Sequence, residues 1–327
     1  MHRTISSDIK VSVCVISYNH EKYIAQCLDS ILMQECSFAF EVVIRDDCSQ
    51  DQTLKIIKSY QERYPEVIRL IDAEKNIGAN SNLLTVFENS HGKYIAICEG
   101  DDYWIENTKL QKQLDLMEAR EDLTFVSHAC RLHDQTGLAS IDHLKGIGTT
   151  EVTCNDVLSI SGQFAPTASY MFKRNVVSGL PWWFKEAPVG DFFIEMYGIA
   201  AGKGVHINIA LSAYRVFSEN SWSTRNNENH FHKLVSFSRK MNWCLDRMKE
   251  DSMFKHCDFS RKIAAVKFNT AIGSLLAKDF AGFTDAINQC WIVFPNLSLT
   301  QKVLYEIRLF PRFARFLYRR KRGRLLA

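Results

Sequence analysis

The feature that most constrains this chain is an alternation. Over its first 120 residues, short apolar runs are repeatedly followed by segments with helical spacing. Val11–Ser17 reads as a buried strand, after which Tyr23, Cys27, Leu28, Ile31 and Leu32 recur at helical intervals. Glu41–Arg45 is a second strand. Ser49-x-x-Gln52 then has the form of a capping box, and Leu54, Ile57 and Tyr60 share one helical face. Val67–Ile71, a short helix at Asn82–Glu88, Tyr94–Cys98 and a helix marked by Leu110, Leu114 and Met117 continue the pattern. Thr167–Phe172 and Val205–Arg215 read as further strands, separated by a helix beginning near Asp191, and beyond about residue 225 the pattern is helical. Buried strands alternating with helices predict an α/β fold, a mixed, mostly parallel sheet flanked by helices, with a helical C-terminal region.

Composition narrows the function classes. At 327 residues, 46% apolar and 24% charged, the chain is a folded one, of a size for one large domain with an appendage or for two domains. Met1–Lys10 has no apolar core of a leader and no run of eighteen apolar residues occurs, so neither secretion nor a transmembrane helix is expected. Ten cysteines lie without a Cys-x-x-Cys pair, which suits small buried residues in a reducing compartment, and a cytoplasmic location is expected. The first strand is followed by Ser17-Tyr-Asn-His-Glu21 rather than Gly-x-Gly-x-x-Gly, and Gly202-Lys-Gly lacks P-loop spacing. A dinucleotide oxidoreductase and a P-loop enzyme are therefore poorly supported. The net charge of +3 hides an asymmetry: Gln301–Ala327 holds nine Lys/Arg against one Glu, 9 − 1 = +8, leaving 3 − 8 = −5 for the rest. An acidic body argues against nucleic acid as a partner.

In a sheet of this kind ligands sit beyond the carboxyl ends of the strands. Here those ends are Ser17-Tyr18-Asn19, Asp46-Asp47, Asp72 with Asn76 and Gly78, and Glu99-Gly100-Asp101-Asp102. Adjacent carboxylates repel unless a cation or proton intervenes, and hard oxygen ligands beside a nucleotide suit Mg²⁺ or Mn²⁺. A carboxylate at Asp46-Asp47 suits hydrogen bonds from a base N–H or a ribose hydroxyl. The structural alternatives are a helix-entry turn at Asp46-Asp47 and helix caps at Asp102 and Asp191.

The runs Val11-Ser-Val-Cys-Val-Ile-Ser-Tyr-Asn19, Val42-Val-Ile-Arg-Asp-Asp-Cys-Ser49, Asn76-Ile-Gly78 and Gly92-Lys-Tyr-Ile-Ala-Ile-Cys-Glu-Gly-Asp-Asp102 resemble, in order, the nucleotide-sugar-binding half of the family 2 glycosyltransferases. Their fold is called GT-A. The resemblance is specific over residues 11–120 and in register to about 225. It implies a GT-A domain over 1–225, with a nucleotide-sugar-binding half at 11–120 and an acceptor half at 121–225, followed by a helical region with a basic amphipathic tail at 226–327. It also implies that the backbone after Val15 and the side chain of Asp47 hold the base with Tyr18 beside it, that Ser17, Asn76 and Gly78 belong to the nucleotide-sugar pocket, and that Asp101 contacts ribose or metal. Asp102 would ligate the cation that bridges the donor diphosphate, and Glu99 occupies the first acidic position of the family's Asp-x-Asp signature.

Val189-Gly-Asp191-Phe-Phe matches the place of the family's catalytic carboxylate, so Asp191 would be the general base for an attacking hydroxyl. Tyr214-Arg215-Val216-Phe217 resembles the family's Tyr-Arg-x-His segment with Phe in place of His, which leaves Arg215 as the phosphate contact. The implied activity is inverting transfer of a hexosyl or N-acetylhexosaminyl group, from a UDP-sugar or similar donor to a glycan or lipid-linked acceptor, in surface polysaccharide synthesis such as that of lipopolysaccharide. A noncatalytic nucleotide-sugar-binding scaffold is the alternative.

Two regions have weaker signals. Trp182, Trp183, Phe184 and Trp222 suit either a sugar-stacking wall or core packing, and His230 and His232 precede a helix as solvent-facing residues. Arg308, Arg312, Arg315 and Arg319, spaced four, three and four, form a cationic stripe on a helix, with Phe310, Phe313, Phe316 and Leu317 mainly on other faces and Arg320, Arg322 and Arg324 extending the charge. Such a segment suits peripheral contact with an anionic membrane at the inner face of the cell membrane, or a helix packed on the body with a solvated Arg face and a break at Pro311.

Overall fold

A computed structural model describes residues 9–134, 137–160, 162–216 and 230–325, the side chains of 230–232 and 321–325 excepted. The chain divides into two compact units, residues 1–153 with 163–224, and residues 154–162 with 225–327.

The first unit opens as the alternation predicts: β1 (Ile9–Ser17), α1 (Ile24–Leu32), β2 (Ala39–Asp46), α2 (Thr53–Arg63), β3 (Ile68–Leu70), α3 (Ala79–Glu88) and β4 (Tyr94–Ile97). β3, β2, β1 and β4 lie side by side and parallel, with Val15 opposite Ile44 and Ser17 opposite Asp46. Val11, Val13 and Val15 on one face of β1 and Ser12 and Cys14 on the other are all fully buried, as a strand covered on both faces requires. Because β1 and β2 run parallel and in register, their polar last residues emerge at the same edge of the sheet.

The remainder of this unit is β5 (Tyr103–Trp104), α4 (Lys109–Ala119), β6 (Leu123–Asp134), β7 (Gly137–Asp142), β8 (Thr149–Val152), β9 (Met171–Lys173), α6 (Asn175–Gly179), α7 (Asp191–Ala200) and β10 (Lys203–Arg215), α5 (Cys154–Ser159) belonging to the other unit. The ten described strands form one sheet in the order β3-β2-β1-β4-β9-β6-β10-β5, with β7 paired to β6 and β8 to β10. β9 is antiparallel to both β4 and β6, so the sheet is mixed at its centre.

Two local expectations change, and one strand was not foreseen. Ser49 does not cap α2: its hydroxyl donates to Asp46 Oδ1 at 2.5 Å, and Asp51 Oδ1 accepts the Thr53 N–H at 3.0 Å instead. Thr167–Ser169 is a 3₁₀ turn rather than the start of a strand, held by the Trp104 indole donating to the Ala168 carbonyl at 2.9 Å. Leu123–Asp134 is a long strand whose apolar run is broken by His128, Arg131 and His133 and so carries no clean period.

The second unit is helical. α8 (His230–Glu250), α9 (Ser260–Ala277), α10 (Phe280–Val293), α11 (Leu299–Glu306) and α12 (Pro311–Leu325) follow α5. Lys278 in the left-handed conformation (φ 67°) ends α9, and Asp279 and Ser298 cap α10 and α11 through the Gly282 and Gln301 amides. Leu275, Phe283, Ile287, Leu304 and Ala314 form its core. No described helix is long and apolar enough to cross a membrane.

Candidate active site

The ends of β1, β2 and β4 are stitched together by their own backbone. Ser17 O accepts the Asp47 N–H at 2.8 Å and Ile16 O accepts the Gly100 N–H at 2.9 Å. The main chain beyond the fully buried Val15 is therefore committed to joining the strand ends. Gly100 has to be glycine, because a Cβ there would sit 2.8 Å from His20 Nδ1 and 2.9 Å from Ser17 Oγ. That close approach sets Glu99 and Asp101 beside the end of β1. Ser17 Oγ has no hydrogen-bond partner among the described residues, and Tyr18 is half-buried next to it.

The first carboxylate pair is internally satisfied. Asp47, 3% exposed, accepts from Arg45 Nη1 at 2.8 Å and from the Ile77 and Gly78 amides at 2.9 Å each. Arg45 in turn donates to Asn82 Oδ1 at 3.0 Å and to the Lys75 carbonyl at 3.2 Å. Asn76 Oδ1 also accepts from the Gly78 amide, at 3.2 Å, so Asn76 and Gly78 lie in the turn that Asp47 holds at the start of α3. Asp46 accepts from the Ser49 amide and hydroxyl. Burial outweighs those bonds, and with Asp51 and Asp47 nearby its carboxyl is held above the usual range.

The second pair is different. Asp102, 2% exposed, accepts the Arg215 N–H at 2.9 Å on Oδ1, while its Oδ2 is buried without a hydrogen-bond partner among the described residues. Burial, then Asp101 and Glu99, raise its carboxyl well above the ordinary carboxylate range. The part-exposed Glu99 carboxyl is pushed up to about 8 by desolvation, then by Asp101 and Asp191, against a hydrogen bond with Thr167. Burial and the surrounding charges of Asp102, Glu99, Asp101 and Asp191 also raise the Tyr214 hydroxyl. Asp191 opens α7, with Oδ1 accepting from the Phe192 amide at 2.7 Å, while Gly190 is the N-cap. Residues 99, 101, 102 and 191, expected to cooperate, thus share one electrostatic environment. The helix after Asp102 starts only at Lys109, so Asp102 is not its cap.

Arg215, 8% exposed, is no surface cation. Its guanidinium donates to the Asp101 carbonyl and to Gln26 Oε1, and lies 4.9 Å from the Tyr23 ring and 4.6 Å from the Tyr103 ring. His20 Nε2 stands 3.9 Å from Asp101 Oδ2.

The loop leading into Asp191 is tied to α3 by Asn80, which sequence reasoning passed over. Asn80 Nδ2 donates to the Phe184 carbonyl at 3.2 Å and the Ala187 carbonyl at 2.8 Å, and a Cβ at Gly190 would lie 2.7 Å from Asn80 Oδ1. These partners stand more than a hundred residues apart in the chain, so no local pattern links them. Of the aromatic group, Trp183 and Phe184 are core residues, Trp183 meeting Phe193 edge-on at 5.1 Å, whereas Trp182 is 74% exposed. Phe217 and Trp222 lie outside the described residues, as do the side chains of His230 and His232.

Among the described residues no three His, Cys, Asp or Glu side chains stand close enough to hold an ion by themselves. A cation here would need further oxygens from a bound ligand or water, the habit of Mg²⁺ and Mn²⁺ beside phosphates. The Asp102 Oδ2 without a hydrogen bond and the raised Glu99 carboxyl fit such a group, since a nearby cation would offset the burial and mutual repulsion that raise them.

Comparison with known proteins gives a family and a fold. Residues 12–178, more than half of the chain, match the model of glycosyl transferase family 2. The chain is 40% identical over 127 residues to the uncharacterized protein Rv1520 of Mycobacterium tuberculosis, covering 39% of this chain and 37% of that one. It is 35% identical over 134 residues to TuaG of Bacillus subtilis, a putative teichuronic acid biosynthesis glycosyltransferase, covering 41% and 52%. The aligned stretch is thus about half or less of these curated relatives' length. Among solved structures, S. aureus TarS 1–349 in complex with UDP-GlcNAc aligns with a TM-score of 0.65 at 16% identity, over 96% of this chain and 92% of that one. The mannosyltransferase PcManGT of Pyrobaculum calidifontis, in complex with GDP-Man and Mn²⁺, aligns with a TM-score of 0.54 at 15% identity, over 96% and 88%. At these identities the structural likeness establishes the fold.

Proposed function

The chain belongs to glycosyl transferase family 2, and on that premise we propose that it is an inverting glycosyltransferase. It transfers a hexosyl or N-acetylhexosaminyl group from a nucleotide-diphosphate sugar, UDP-linked, to a hydroxyl of a glycan or lipid-linked acceptor in surface polysaccharide assembly. The observation that carries this reading is the buried Asp102, whose Oδ2 has no hydrogen-bond partner among the described residues, in the acidic stretch after β4 that also holds Glu99 and Asp101 and is tied to Arg215 at the end of β10. The sugar nucleotides bound to TarS and PcManGT and the name of TuaG support the donor class and the setting.

The donor half is assigned to residues 11–120, the acceptor half to 121–225, and residues 226–327 to an accessory helical region. Ser17, Tyr18 and the Asn76–Gly78 turn border the base. Asp47 acts there mainly by holding that turn, since three of the roughly four acceptor directions of a carboxylate are already used. Asp102 and Asp101, with Glu99 beside them, would hold a Mn²⁺ or Mg²⁺ ion, whose chemistry is to neutralise charge developing on the departing diphosphate. Arg215 adds a fixed positive charge at the same edge. It is braced by Tyr23, Tyr103 and Gln26, so its position does not depend on the ligand. Asp191 takes the proton of the acceptor hydroxyl as it attacks the anomeric carbon, and is aimed by the first turn of α7. A lipid-linked acceptor would bring the protein to the inner face of the cell membrane.

The test is a pair of measurements. A thermal-shift series of nucleotide sugars with and without Mn²⁺ should give a metal-contingent rise with one nucleotide class. Asp191→Asn should keep that rise and lose transfer to acceptor extracts. Undiminished transfer by Asp191→Asn removes it as the base, and metal-contingent binding with no transfer by the unaltered chain favours a binding scaffold.

A further inference from the structure

The basic helix α12 touches its own unit along a narrow edge. Ala314 is fully buried in the core of that unit and Tyr318 packs against it. Arg308 and Arg315 turn back onto the chain, donating to the carbonyls of Tyr305 at 2.7 Å and Leu276 at 3.4 Å, so the stripe expected from spacing is split. At about 100° per residue, Phe313 and Phe316 fall on the side away from Ala314 and Tyr318, together with Arg312, Arg319 and Arg320. Phe313 and Phe316 are 51% and 58% exposed, and Leu309 and Phe310, just ahead of the helix, are 74% and 69% exposed. Four large apolar side chains within eight residues thus face outward among exposed cations, an arrangement a chain bathed only in water has no reason to keep.

The occupant of this face must be apolar and anionic together. Gln301–Ala327 carries nine Lys/Arg against one Glu, 9 − 1 = +8, so two copies of the surface would repel each other. A bilayer containing anionic lipid meets both demands, with headgroup phosphates for the arginines and the acyl boundary for the phenylalanines. We propose that the outward face of α12, led by Leu309 and Phe310, is a membrane-docking surface selective for anionic lipid. It stands apart from the transfer chemistry and holds whether or not Asp191 is a base.

The test uses the full chain and vesicles of phosphatidylcholine alone or with about one-third phosphatidylglycerol. The unaltered protein should co-sediment with the anionic vesicles and not the neutral ones, less so as salt is raised. Phe313→Ser with Phe316→Ser, and separately Arg312→Glu with Arg319→Glu, should each weaken binding at least about tenfold with the melting temperature unchanged. Equal binding by the serine variant overturns the proposal, as does equal binding to neutral vesicles. So does a dimer in sedimentation velocity that the same serine changes dissociate.

Discussion

Two pairs of adjacent aspartates lie at or just beyond the ends of two strands of the same sheet, β2 and β4, yet the fold treats them in opposite ways. Asp47 of the first pair is closed by Arg45 and two amides of the Asn76–Gly78 turn. Asp102 of the second keeps a buried oxygen with no partner among the described residues, and with Glu99 it holds protons far more tightly than an ordinary carboxylate. The first pair is complete within the protein and braces a loop. In the second, one buried Asp102 oxygen stays outside the hydrogen bonding of the described residues. An acidic pair in a sequence announces repulsion, and the three-dimensional neighbours decide whether that repulsion is resolved by the chain or kept for a ligand.

The comparison breaks most visibly at Asp102. Asp102→Asn should abolish metal-contingent nucleotide binding in calorimetry while leaving the melting temperature of the metal-free protein no lower, because a carboxyl that burial already keeps protonated gives way to a neutral amide that retains the oxygen accepting from the Arg215 amide. A large loss of metal-free stability would mean that Asp102 is a brace like Asp47. The converse substitution, Asp47→Ala, strands the buried Arg45 guanidinium and should cost about 3 kcal/mol in urea unfolding. If it costs nothing, the first pair is not the latch described.

Much of this contrast was half-visible beforehand. The apolar runs of β1, β2 and β4 and their polar last residues were legible because a doubly covered strand needs an unbroken apolar run and a ligand edge does not. The partners that separate the two pairs were not. Arg45 reads as the end of a strand, and only the fold brings Asn82 and the Lys75 carbonyl to its other nitrogens. Strand β6 was missed because His128, buried and neutral in character, sits in its apolar stretch. Burial pushes that imidazole's proton affinity well below the usual value, so the residue behaves as part of the core. In the tail, the spacing of the arginines was plain, but which edge packs is decided by the small Ala314, a residue without periodic signal.

A buried lysine in the same unit sharpens the same lesson. Lys109 is fully buried with its ammonium 3.9 Å from the centre of the Trp104 ring, and its Nζ has no hydrogen-bond partner among the described residues. Desolvation, opposed by Cys98 and Cys36, lowers it from 10.5 to about 7. A depressed lysine means that the unfolded chain binds the proton more readily. Its contribution therefore erodes stability as the pH falls from about 10.5 toward about 7 and levels off below. Lys109→Met should flatten that slope and raise stability at pH 6 by about 2 kcal/mol, allowing for the lost ring contact. Parallel stability curves for the two proteins would show that the ring contact alone satisfies the ammonium.

The smallest expected effect concerns the bridge between the two pairs. Asp47 holds the Gly78 amide at the start of α3, and two residues on, Asn80 holds the carbonyls of Phe184 and Ala187 ahead of Asp191. The closed pair therefore positions the loop that carries the proposed base of the open one. In Asn80→Ala the loop keeps its packing through Trp183 and Phe184 but loses both side-chain bonds, so kcat should fall about tenfold while nucleotide affinity stays level. Asn80→Asp, which puts acceptors in front of the same carbonyls, should do no better. A loss confined to KM would place Asn80 in the donor pocket instead, and the two carboxylate pairs would then act independently.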